Sequence, residues 1–116
     1  MSIQRIESGT HLSKVVIHGD RVYVAGLTAN KTLGQSVTEQ TREILGMIDS
    51  YLAQAGTDKS KLLKANIWLT DIGTWAEMNA VWNAWIVPGQ PPARATVEAK
   101  LANPKAYVEI MVDAAK

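Results

Sequence analysis

Cysteine is absent from the 116-residue chain. That excludes disulfide frameworks, zinc ribbons, iron–sulfur sites and thiol nucleophiles. An excess of charge of either sign is also missing: 12 basic side chains stand against 11 acidic ones, net +1. With so small an imbalance, binding to a phosphate backbone has little electrostatic basis, and no nucleic-acid partner is expected. No apolar run approaches the roughly 20 residues of a spanning helix, so no membrane partner is expected either. The opening Met1-Ser-Ile-Gln-Arg-Ile-Glu-Ser-Gly9 has no apolar segment before a small-residue cleavage site, and a cytoplasmic address follows as the expectation. Gly26, Gly34 and Gly46 lack the spacing of a phosphate-binding loop. Two histidines, His11 and His18, without cysteines or a tight acidic cluster, make a weak metal case.

What is present describes a globular domain. Hydrophobic residues make up 47% and charged ones 20% of the chain. A single domain over residues 1–116 buries about 65% of its unfolded surface, enough for a core. Lys14–His18 and Arg21–Ala25 are strand-forming runs separated by Gly19-Asp20, the signature of a type II′ hairpin. Ile3–Ile6 adds a short strand ahead of it. Ser36-Val-Thr-Glu39 has capping-box spacing and opens a helix whose apolar face runs through Ile44, Met47, Ile48, Tyr51, Leu52 and Ala55, with Gly56 as its stop. Leu62–Leu69 alternates as a strand, and Thr74-Trp-Ala-Glu77 reads as a second capping box on a helix running to about Val87. Two more strands, Ala93–Glu98 and Tyr107–Ala114, follow the Pro91-Pro92 break.

The fold class is therefore α/β (α+β): one layer of about six mixed strands with two helices on one face. The second face must meet something else. Alternation groups Trp68, Tyr107 and Met111 there with Arg94, Glu98 and Glu109, a mixture that suits a subunit interface better than open water. Trp75, Met78, Trp82 and Trp85 recur at helical spacing and read as a core stripe.

Two residues could carry chemistry. Arg94, at the start of a strand leaving a rigid proline loop, is either a guanidinium fork for a carboxylate or phosphate or the partner of Glu98 or Glu109 in an ordinary ion pair. Glu109, set among strand formers, is either a partly desolvated general base or a charge that protects a sheet edge. The pattern alone does not choose.

A wider match bears on the choice. Met78-Asn-Ala-Val-Trp-Asn-Ala-Trp85, Pro92-Ala-Arg-Ala-Thr-Val97, Asn103-Pro-Lys-Ala-Tyr-Val-Glu-Ile110 and the Ser13–Gly19 hairpin with Tyr23-Val-Ala-Gly26 resemble the RidA/YjgF family of small imine deaminases, in particular its YoaB-like branch. The resemblance implies a chorismate-mutase-like layer, a homotrimeric barrel with clefts between subunits, and no metal or organic cofactor. It implies that Arg94 binds a substrate carboxylate, that Glu109 positions or activates water, and that Thr96 lines the pocket. The reaction implied is hydrolysis of reactive 2-imino acids, or their enamine tautomers, to 2-keto acids and ammonia. The chain departs from the family where Leu12 replaces a tyrosine, Ala25 a serine and Thr96 a cysteine. Ala25 and Thr96 favour a rival reading, a non-catalytic trimer that binds carboxylate metabolites. An endoribonuclease or translation inhibitor, a label some members carry, fits the near-neutral charge least.

Overall fold

The computed structural model describes all residues, 1–116. In chain order the elements are β1 (Ile3–Ser8), β2 (Ser13–His18), β3 (Arg21–Leu27), α1 (Val37–Gln54), β4 (Leu62–Leu69), α2 (Trp75–Trp85), β5 (Ala93–Glu98) and β6 (Val108–Ala115). They form one six-stranded sheet in the order β1-β2-β3-β6-β4-β5. Only the β4–β5 pair is parallel, as the crossover through α2 requires. No helix is long and apolar enough to cross a membrane.

The hairpin forms where its dipeptide predicts. Gly19 takes φ +62° and Asp20 does not join it at positive φ, which fits a II′ turn rather than I′. Ser36 caps α1, its Oγ accepting from the Glu39 N–H at 3.2 Å. The reciprocal half of that box is not made, because the Glu39 carboxylate pairs with Arg42 Nη1 at 2.7 Å. The second box does not form at all. Thr74 makes no side-chain cap, and its hydroxyl donates to the Asp71 carbonyl. Glu77 instead accepts from the Thr38 N–H (3.0 Å) and hydroxyl (2.9 Å), so a carboxylate from α2 satisfies the amino end of α1. The helix also stops at Trp85, two residues short of the expected end.

Both helices lie on one face of the sheet. There Val15, Ile17, Val22, Val24, Ala65, Ile67, Leu69, Val108, Ile110 and Val112 meet Ile44, Leu45, Ile48 and Leu52 of α1 with Met78 and Trp82 of α2. The tryptophan stripe only partly joins this core. Trp82 is buried, Trp85 is half-buried with its indole N–H donating to Asp49 Oδ2 at 2.9 Å, and Trp75 stays outside, 42% exposed.

Two polar residues, Gln40 and Thr41, are fully enclosed, and Gln40 ties elements together. Gln40 sits one turn before Ile44, where its Nε2 donates to the Gln35 and Lys105 carbonyls and its Oε1 accepts from the Tyr107 N–H. These bonds tie the start of α1 to the loop that leads into β6. Tyr107, expected within the last strand and on the open face, precedes β6 and packs against the core.

Candidate active site

The register of the sheet decides where the candidate residues point. In the parallel β4–β5 pair Arg94 is opposite Ala65, Thr96 opposite Ile67 and Glu98 opposite Leu69. The three β4 residues are buried in the core, so Arg94, Thr96 and Glu98 point to the helix side. Glu109 lies between buried Val108 and Ile110 and is paired with Trp68, so it points to the open face. The mixed face expected from alternation is corrected accordingly: Arg94 and Glu98 are on one side of the sheet, Glu109, Trp68 and Met111 on the other. A small molecule cannot touch both Arg94 and Glu109 of one chain.

Arg94 occupies the sheet's edge strand and is half-buried against α2. Its Cζ lies 5.2 Å from the ring centroid of Trp82 and 5.8 Å from that of Trp75, both within cation–π range. Burial pulls its pKa below the ordinary guanidinium value, with no carboxylate acting in the opposite direction. Neither ion pair expected as the alternative forms. The ion pairs of the chain are Arg42–Glu39 and Lys64–Asp113, and Glu98 Oε1 accepts from the Ile72 N–H at 3.0 Å. The fork of Arg94 thus has no anionic partner within its own chain. Thr96, two residues on, has a buried hydroxyl with no hydrogen-bond partner.

Glu109 lies over an irregularity in β3. Val24 is opposite Val112 and Leu27 opposite Ile110, so Ala25 and Gly26 together face Met111 alone. This β-bulge keeps both Val24 and Leu27 in the core. It also brings the Gly26 backbone under the glutamate. A Cβ at position 26 would overlap Glu109 Oε2, so any side chain there displaces the carboxylate. Around Glu109 the open face carries Tyr23, Met111 and Val97, all exposed, beside half-buried Trp68. Leu12 is exposed in the β1–β2 connection, and Ala25 is half-buried within the bulge.

Sequence reasoning passed over the group that holds the loop after the bulge. The Glu43 carboxylate accepts from the amides of Asn30, Lys31 and Thr32 and from the Thr32 hydroxyl at 2.7–3.1 Å. Desolvation pushes this carboxyl up, but the four hydrogen bonds together outweigh it and lower its pKa from 4.5 to about 2. A depressed folded-state value stabilises the protein above the unfolded pKa, and that stability is lost as pH falls from about 4.5 through about 2. Glu43→Gln is therefore expected to lower Tm by a few degrees at neutral pH. The difference from wild type should shrink across that acid window, as thermal melts at a series of pH values will show.

Residues 2–116 match the Endoribonuclease L-PSP family. A RutC family protein of Haemophilus influenzae is 46% identical over 112 residues, 97% of each chain. The RutC family protein YoaB of Escherichia coli K12 is 44% identical over 115 residues, 99% of each. Among solved structures, a YjgF-family protein of Neisseria meningitidis superposes with a TM-score of 0.96 at 40% identity, covering 100% of this chain and 96% of that one.

Proposed function

The chain belongs to the Endoribonuclease L-PSP family, with RutC and YjgF proteins among its relatives, and from that premise we propose that it is a 2-iminoalkanoate deaminase. The single observation that carries the reading is Arg94: a half-buried guanidinium on an edge strand, backed by two indoles, with no carboxylate of its own chain to neutralise it. A desolvated, planar, two-donor fork without a partner suits a small carboxylate ligand.

The active form is a homotrimer. Glu109 and Arg94 point to opposite faces, so the pocket is completed when the edge strand of one subunit, with Arg94 and Thr96, meets the open face of the next, with Glu109 over Gly26. The apolar residues Tyr23, Trp68, Val97 and Met111 on that face support such contact. Arg94 holds the carboxylate of R–C(=NH)–COO⁻, and Thr96 forms the pocket wall beside it. Glu109 of the neighbouring subunit orients a water molecule and takes its proton as the oxygen bonds to the imine carbon. Glu109 returns that proton to the nitrogen, giving the carbinolamine R–C(OH)(NH2)–COO⁻. As the C–N bond breaks the hydroxyl proton passes to nitrogen through the same carboxylate, so ammonia leaves and R–CO–COO⁻ remains. An imine carbon is already electrophilic, so positioning and one proton acceptor suffice, and the reaction as written uses no metal or organic cofactor.

A dehydratase that releases 2-iminopropanoate or 2-iminobutanoate supplies the test. Adding this protein is expected to speed keto-acid and ammonia release beyond spontaneous hydrolysis. No acceleration across several 2-imino acids would overturn the reading and leave the carboxylate-binding trimer in its place. Ribonuclease activity forms no part of the proposal, since the +1 net charge gives a polynucleotide little to hold.

A further inference from the structure

Two large hydrophobic side chains where the chain enters α2 belong to neither the core nor the sheet, and one of them, Trp75, lies beside Arg94. Ile72 is 45% exposed and Trp75 42% exposed. They lie in the 3-10 turn Ile72–Thr74 and at the first residue of α2. That turn is fastened to the Arg94 strand, because Glu98, four residues along β5 on the same side as Arg94, accepts the Ile72 N–H.

The two indoles against Arg94 are not equivalent. Trp82 is 4% exposed and packs at 5.4 Å against Trp85, so it serves as the buried support of the guanidinium. Trp75 approaches the same guanidinium from 5.8 Å with much of its surface open to solvent. Single exposed hydrophobic residues need no explanation. An exposed indole against an unpartnered guanidinium does, because the two together present a charged fork and an apolar surface side by side.

Resting on the deaminase reading above, we infer that Trp75 is a side-chain subsite that selects 2-imino and 2-keto acids bearing an aromatic group. In such a molecule the carboxylate and the aryl ring are separated only by the imine or keto carbon and one methylene. A carboxylate held by the Arg94 fork therefore keeps its aryl ring within reach of the neighbouring indole. Stacking there removes apolar surface of both partners from water. A methyl or ethyl side chain covers little of the indole and gains little from it.

The test uses the assembled protein, as wild type, Trp75→Ala and Trp75→Phe. Calorimetric titration with phenylpyruvate and pyruvate, both stable keto acids, reads binding without turnover. Hydrolysis of the imines that an amino-acid oxidase makes from phenylalanine and alanine reads catalysis. Wild type is expected to bind phenylpyruvate roughly ten-fold more tightly than pyruvate. Trp75→Ala should weaken phenylpyruvate binding about ten-fold more than pyruvate binding, which abolishes the preference, and Trp75→Phe should retain most of it. Equal binding of the two keto acids by wild type would overturn the subsite. So would equal weakening of both in Trp75→Ala, which makes Trp75 a mere support for Arg94. Trp75-dependent phenylpyruvate binding without imine hydrolysis would uphold the subsite and remove the deaminase reading. Hydrolysis that ignores the side chain would do the reverse.

Discussion

Replacing Arg94 by alanine is expected to lower kcat/KM for imine hydrolysis by roughly 30- to 1000-fold, the loss of a charge-assisted two-donor contact worth about 2–4 kcal/mol. The fold should survive, because the guanidinium forms no ion pair in its own chain. What the protein loses is packing of the side chain against Trp82 and Trp75, which shifts Tm by no more than a few degrees. Arg94→Lys separates charge from shape. An ammonium can still lie near the indoles, but it offers a point charge in place of a planar fork, so activity should return only in part. Kinetics and melting temperature measured on the same samples decide the matter. A fall in Tm with activity preserved would assign Arg94 a structural role and end its place in the site.

The order and type of the elements were legible in the sequence because local chemistry sets them. Gly19-Asp20 needs a positive φ at one position only, and the β4 run Leu62–Leu69 carries its alternation openly. Which way Arg94 points was not legible. Alternation in Ala93–Glu98 says that Arg94, Thr96 and Glu98 share a side, not which side the helices cover. On a central strand the apolar set marks the core, whereas β5 is an edge strand whose core-side row is polar. Only pairing with Ala65, Ile67 and Leu69 fixes the direction. The capping glutamates show the same limit. Glu39 and Glu77 both stand at box spacing, but a nearer cation takes the first and a neighbouring helix terminus the second. For Gln40 a signal existed, an amide on the apolar stripe one turn before Ile44, although its partners Lys105 and Tyr107 are far along the chain. Glu43 offered none, since its loop amides become a binding site only once β3 and α1 are packed.

Glu109→Gln should have the other large effect. The amide keeps the shape of the side chain over Gly26 but cannot take the proton of the attacking water, so turnover should drop by about 10²- to 10⁴-fold with keto-acid binding little changed. That pattern differs from Arg94→Ala, in which binding itself is weakened. The two residues face opposite sides of the sheet, so in the proposed trimer the two defects would fall on different subunits of each pocket. The most direct measurement is therefore to mix the two inactive proteins, Arg94→Ala and Glu109→Gln, after dissociating and reassembling them together in equal amounts. In a cyclic trimer about a quarter of the pockets then unite an intact Arg94 from one chain with an intact Glu109 from the next, and activity should recover to about that fraction of wild type. Recovery of nothing beyond the two variants alone, although mixed trimers have formed, would contradict a site shared between subunits.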